Sequence, residues 1–147
     1  MASTADQTEL SRVARIAVLA AAFSGLVFDG VELGLMPVAS LSVTQSLLGD
    51  QYTDTLGGSW FAWFTAALML GAAVGGSFLG NLGDRIGRSR AMGVSVLFYS
   101  MFAGLGGFVT TCEQMLFLRF MVGLGVGGMW PNGVALVAEC WPNTSRG

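Results

Sequence analysis

The chain has no histidine and no lysine, and only 11% of its 147 residues are charged. A soluble domain carries about 25% charged residues, so a water-facing surface is hard to build from this supply. Without histidine the usual general base is missing, and two isolated cysteines, Cys112 and Cys140, form neither a metal spacing nor a disulfide framework. No metal or other cofactor is expected. No phosphate-cradling loop and no nucleophile with a partner is present, which argues against an enzyme. The arginines make no basic stripe, and nucleic acid is excluded as a partner.

Apolar residues and glycine fill the space that charge leaves, at 53% hydrophobic residues and 22 glycines. Glycine at that density suits membrane helices that pack backbone to backbone. A hydrocarbon core of about 30 Å needs roughly 20 apolar residues of helix. Four segments are long enough, at about 14–41, 58–82, 91–111 and 115–139, after a short tail at 1–13. The first is too long for a signal peptide and lacks a small-residue cleavage site, so it reads as a retained helix. The 42–57 connection is polar, and the other links are short, as between antiparallel neighbours.

Arginine placement orients the bundle. Arg12 and Arg15 precede the first span, Arg85, Arg88 and Arg90 lie between the second and third, and Arg146 follows the fourth. Asp50, Asp54 and Glu113 fall on the opposite side. The positive-inside rule then puts the N-terminus in the cytoplasm of a multi-pass protein of the plasma (inner) membrane.

Gly80-Asn-Leu82-Gly-Asp84-Arg85-Ile-Gly87-Arg88-Ser-Arg90 is the most informative stretch. Gly87 can bend the chain sharply because glycine tolerates positive φ. Asp84 can cap a helix, and the arginines can meet carbonyl ends or carboxylates. A plain basic hairpin would account for the arginines but not for the aspartate and glycines at these offsets. The segment resembles G-x-L-x-D-R-x-G-R-x-R, the loop signature between the second and third helices of the major facilitator superfamily. Glu139-Cys-Trp-Pro142-Asn-Thr-Ser-Arg146-Gly147 resembles the E-x-x-P-x-x-x-R-G motif after the fourth helix of its sugar and organic-acid carriers.

The resemblance implies an all-α membrane protein, four transmembrane helices of a six-helix half-bundle whose remaining, C-terminal helices are partners outside this chain. Gly80, Asp84, Arg85, Gly87, Arg88, Arg90, Glu139 and Arg146 inherit the family's cytoplasmic gating role. Arg146 and Gly147 stand inside a motif, so the chain reads as a truncated first third that would not transport alone.

Three ionisable residues fall within the expected spans: Asp29, Glu32 and Arg119. Such residues cost about 2.5–3.5 kcal/mol at a helix centre on insertion scales and usually face an aqueous cavity. Asp29 and Glu32 are three apart and share a helix face, with Gly30 and Gly34 leaving room beside them. Two close carboxylates disfavour double ionisation, as a proton-coupling acid requires. Phe28-Asp29-Gly30-Val31-Glu32 resembles the D-G-x-D segment of aromatic-acid and related metabolite:proton symporters, with Glu at the last position. Arg119 opens a stretch, with Gly123 and Gly125, similar to the family's R-x-x-x-G-x-G fourth-helix signature. It reads as a cation for an anionic solute, or as an arginine snorkelling from near the helix start. Trp130-Pro131-Asn132 is expected to interrupt that helix and to place Asn132 in the cavity.

The leading expectation is therefore alternating-access, proton-coupled symport of a small organic acid or related metabolite. The alternatives are a small four-helix oligomeric exporter, whose kind lacks the Asp-Arg-Gly-Arg loop, and a non-transporting membrane remnant. Gly71, Gly75, Gly76 and Gly80, and Gly104, Gly106 and Gly107, are expected to let helices approach. Trp60, Trp63 and Phe64 are expected to anchor at the outer interface.

Overall fold

A computed structural model describes residues 12–140, apart from the side chains of Asp29, Glu32, Leu33, Pro37 and Cys140. Four helices run up and down: α1 (Arg12–Leu48), α2 (Asp54–Ile86), α3 (Arg88–Leu105) and α4 (Cys112–Cys140). Short 3-10 turns at Gly49–Gln51 and Gly106–Phe108 lead out of α1 and α3. By length and composition, α2, the α3 segment extended to Phe108, and α4 can each cross a membrane.

Local chemistry accounts for the ends. Thr53 caps α2, its hydroxyl accepting from the Leu56 amide at 3.3 Å, with Asp54 favourably placed in the first turn. Thr111 does the same for α4 through the Gln114 amide, and Gln114 Oε1 reaches back to the Thr110 amide at 3.0 Å. Gly87, at φ +95°, closes α2 and opens α3 in a backbone region that side chains rarely enter.

Two expectations fail on polar residues that helices absorb. The 42–57 connection is largely helical, because α1 continues to Leu48. Thr44 is buried there and donates back to the Ser40 carbonyl at 2.7 Å, meeting its polar need inside the helix. At 1.5 Å per residue α1 is about 55 Å long, longer than a bilayer core is thick, and among the described residues it is not one of the three helices long and apolar enough to cross a membrane. Nor does Pro131 interrupt α4, which is helical through it. Proline clashes with the carbonyl four residues back, here that of Gly127, and lacks the N–H it would receive. Gly127 has no side chain to crowd that turn further.

The closest packing joins helices that are not neighbours in the chain. The contacts between α2 and α4 climb in the same direction, so these two helices lie parallel. A methyl group added at Gly71 would strike the Phe120 carbonyl, at Gly75 the Leu124 carbonyl, at Gly123 the Leu68 carbonyl and at Gly127 the Ala72 carbonyl. Each helix lends two glycines spaced by four, and each backbone rests in the gap the other leaves. The opposite side of α4 does likewise toward α3: a methyl at Gly125 would lie 2.7 Å from Tyr99 Cβ, and one at Gly128 2.5 Å from Ser95 Oγ. α4 is thus a slender helix held between α2 and α3, with α1 packed more sparsely alongside.

Gly104, Gly106 and Gly107 do not serve that purpose, since a methyl there would meet no described atom within 4 Å. Phe64 is likewise not an interfacial anchor. It is 1% exposed in a cluster with Met36, Cys112 and Met115, against which Trp60 packs, its ring 5.7 Å from that of Phe64. Trp63, on the next face, is exposed. Large apolar side chains such as Phe23, Phe78 and Leu97 cover the outside of the bundle. Water would penalise that surface, and lipid does not.

Candidate functional site

The structure gathers candidate residues at two levels. One is a cavity of about 340 Å³ between α1, α3 and α4. Its lining comes in helical stripes: Phe28, Val31, Leu35 and Ala39 from α1, Tyr99, Phe102 and Ala103 from α3 with Gly106 of the 3-10 turn that follows, and Met115, Leu118, Arg119 and Val122 from α4. Arg119 is half-buried and is the one charge among the described lining residues. α4 begins at Cys112 and not near 115, so Arg119 lies about two turns along, roughly 10 Å in at 1.5 Å per residue.

Asp29 and Glu32 belong to the same stretch of α1 as Phe28, Val31 and Leu35, so that backbone passes beside the cavity. Their own side chains lie outside the described ones. Gly30 and Gly34 have no described atom within 4 Å of an added methyl, which leaves this part of α1 open on those faces. Tyr99 and Phe102 escape a reading based on charge. Their signal is the 99, 102, 103, 106 spacing, one stripe of α3 and the turn that continues it at helical period.

The second level is the Gly87 hairpin. Arg88 is its centre. The guanidinium pairs with Asp84 one turn back across the bend, reaches the Gly80 carbonyl at 3.4 Å, and lies 3.8 Å from a Glu139 oxygen on α4. Asp84, Arg85, Arg90 and Glu139 are exposed, whereas Arg88 is half-buried. Gly80 packs beneath Pro131, with an added methyl 3.5 Å from the ring. Arg146 lies outside the described residues.

Asn132 is found at this second level and not beside Arg119. It is buried against α2, donates to the Leu79 and Gly128 carbonyls, and accepts from Arg88 Nη1 at 3.4 Å. The expectation that a break at Pro131 would turn Asn132 into the cavity fails because the helix continues and carries the amide toward α2. A second cavity, about 270 Å³ between α1, α3 and α4 near the hairpin, is lined by Leu19, Phe23, Met92, Met129 and Val134 among other apolar groups, and offers a charged solute nothing to bind.

The family model of the Major Facilitator Superfamily matches residues 14–147. The chain belongs to that superfamily. It is accordingly an integral membrane protein of a transporter family and not an enzyme. The inner membrane metabolite transport protein YgcS of Escherichia coli is 33% identical over 144 residues, which cover 97% of this chain and 30% of that protein. A niacin transporter of Acinetobacter baylyi is 32% identical over 84% of this chain and 26% of its own length. The benzoate transport protein of the same organism is 33% identical over 80% and 25%. The chain spans between 19% and 31% of the length of the relatives it matches. No solved structure matches it.

Proposed function

We propose that this chain forms the start of a secondary carrier that takes up a small organic acid together with protons, by alternating access. The observation that carries the reading is Arg119 set among Phe28, Tyr99 and Phe102 in one cavity. A guanidinium in a poorly hydrated site binds a carboxylate through paired hydrogen bonds, and aromatic side chains cover a flat ring. The volume falls within the range of small-molecule sites. An aromatic monocarboxylate satisfies both halves of that lining. Relatives named for niacin and benzoate transport point the same way.

Asp29 and Glu32, on the α1 segment beside Arg119, are the proposed proton carriers. A protonated acid leaves Arg119 to the solute, and an ionised acid competes with it, which links the two cargoes. The hairpin cluster around Arg88 is the proposed cytoplasmic latch, holding α2, α3 and α4 together in one of the two access states. The N-terminus is proposed to be cytoplasmic in the plasma membrane, and the C-terminal helices of the same carrier to complete the path.

The test is uptake of radiolabelled nicotinate and benzoate by cells carrying or lacking the gene, with and without an imposed inward proton gradient. Saturable uptake that the gradient accelerates supports the reading. Equal uptake in both strains for both acids sinks it.

A further inference from the structure

We propose that Asn132 is the positioning residue of the hairpin latch: it fixes Arg88 against α4, and Gly83 is side-chainless because Asn132 occupies its place. The proposal rests on the carrier reading only for its kinetic arm.

The ion pairs around Arg88 are poorly suited to fixing its position. The side chains of Asp84 and Glu139 are 59% and 62% exposed, so water and salt weaken their pull. Asn132 is different, at 0% exposure. Its amide nitrogen donates to the Leu79 carbonyl of α2 at 3.0 Å and to the Gly128 carbonyl of its own helix at 2.8 Å. Its oxygen accepts from Arg88.

The amide can take only this orientation. Turned over, it would set its oxygen against two carbonyls and its hydrogens against a cation. Both donors are used inside the protein and the acceptor faces Arg88, so no donor remains for a solute. A buried amide satisfied in this way is rigid, because breaking any contact strands a polar group in a site of low dielectric. The bond joins the α2–α4 crossing to the start of α3, so loss of the crossing releases Arg88, and displacement of Arg88 loosens the crossing.

Gly83 supplies independent support. A methyl there would collide with the Asn132 side-chain oxygen and lie 3.3 Å from Arg88 Cδ. Gly83 occupies a variable position of the loop signature, so the glycine is not required by that pattern. The structure requires it locally, to make room for the amide.

The experiment uses the whole protein as its gene encodes it, reconstituted in liposomes with Cys140→Ser, and with spin labels on cysteines introduced at the exposed positions Ser89 and Ala138. The parent should give one narrow inter-label distance. Asn132→Leu, which keeps volume and removes the amide, should broaden it as Arg88→Ala does, and the double variant should be no broader than either. Gly83→Ala should also broaden it, and adding Asn132→Ser, which clears the collision and keeps a hydroxyl, should narrow it again.

A narrow distance in Asn132→Leu beside a broad one in Arg88→Ala overturns the proposal, as does broadening that adds in the double variant. If Asn132→Leu yields no folded protein, the Gly83→Ala pair decides, and absence of rescue overturns it. For nicotinate uptake, Asn132→Leu should cut the maximal rate about tenfold and leave KM within about twofold. A tenfold rise in KM at unchanged maximal rate would return Asn132 to the solute site. Spin-label results as expected, with no carboxylate taken up, would retain the positioning role and reject the proposed substrate.

Discussion

Gly127 of α4 rests directly on the backbone of Ala72 in α2, so closely that a single methyl group would strike the Ala72 carbonyl. Gly71, Gly75 and Gly123 repeat the contact along the same crossing, against the carbonyls of Phe120, Leu124 and Leu68.

Gly127→Val should therefore force the helices apart, at the cost of about 1–3 kcal/mol that overpacking carries. Gly104→Val, facing open space, should cost far less. Thermal unfolding of the two purified variants in the same detergent checks this. Equal losses would mean the α2–α4 contact is not close in the folded protein.

The core cluster gives a second contrast on adjacent residues. Phe64→Ala removes a buried ring and should destabilise by about 3–5 kcal/mol. Trp63→Ala removes an exposed one and should leave the unfolding midpoint nearly unchanged. If Trp63 were the more costly of the two, the helix would be rotated from the orientation described.

Arg119→Ala should raise KM for nicotinate at least tenfold, since hydrogen bonds to a charged group are worth about 1.5–3 kcal/mol. Arg119→Lys keeps the charge but loses the paired geometry and should recover only part of the affinity. An unchanged KM in both variants would remove Arg119 from the solute site.

Asp29→Asn should abolish gradient-driven accumulation and spare exchange of labelled for unlabelled solute, because exchange needs no net proton movement. Glu32→Gln should have the smaller effect. Accumulation that still follows the proton gradient in both variants would place the coupling elsewhere.

Helical character, the bend at Gly87 and the glycine pair at 71/75 are legible in the sequence, because each follows from spacing or from a residue's own backbone freedom. What escaped depends on rotation and on partners distant in the chain. Phe64 and Trp63 look alike in sequence and differ by one helical step, which buries one and exposes the other. Thr44 looks like a loop residue until its hydroxyl finds the Ser40 carbonyl of α1's own backbone. Asn132 suggests a cavity wall when read beside Pro131. Only the α2–α4 crossing shows that its donors meet Leu79 and that Arg88, forty-four positions away, takes its acceptor. Tyr99 and Phe102 pass for ordinary lipid-facing aromatics until α1 and α4 close the space around them.

The parallel pairing of α2 with α4 also bears on how the protein is made. The partners of Gly71 and Gly75 lie about fifty residues further along the chain, which at 5–20 residues per second is roughly 3–10 s of synthesis. Until those partners have been made, the notched face of α2 has nothing of α4 to fill it. Insertion and assembly are thus separate events in time. A chain that stopped short of Gly127 would leave the groove on α2 partly unfilled.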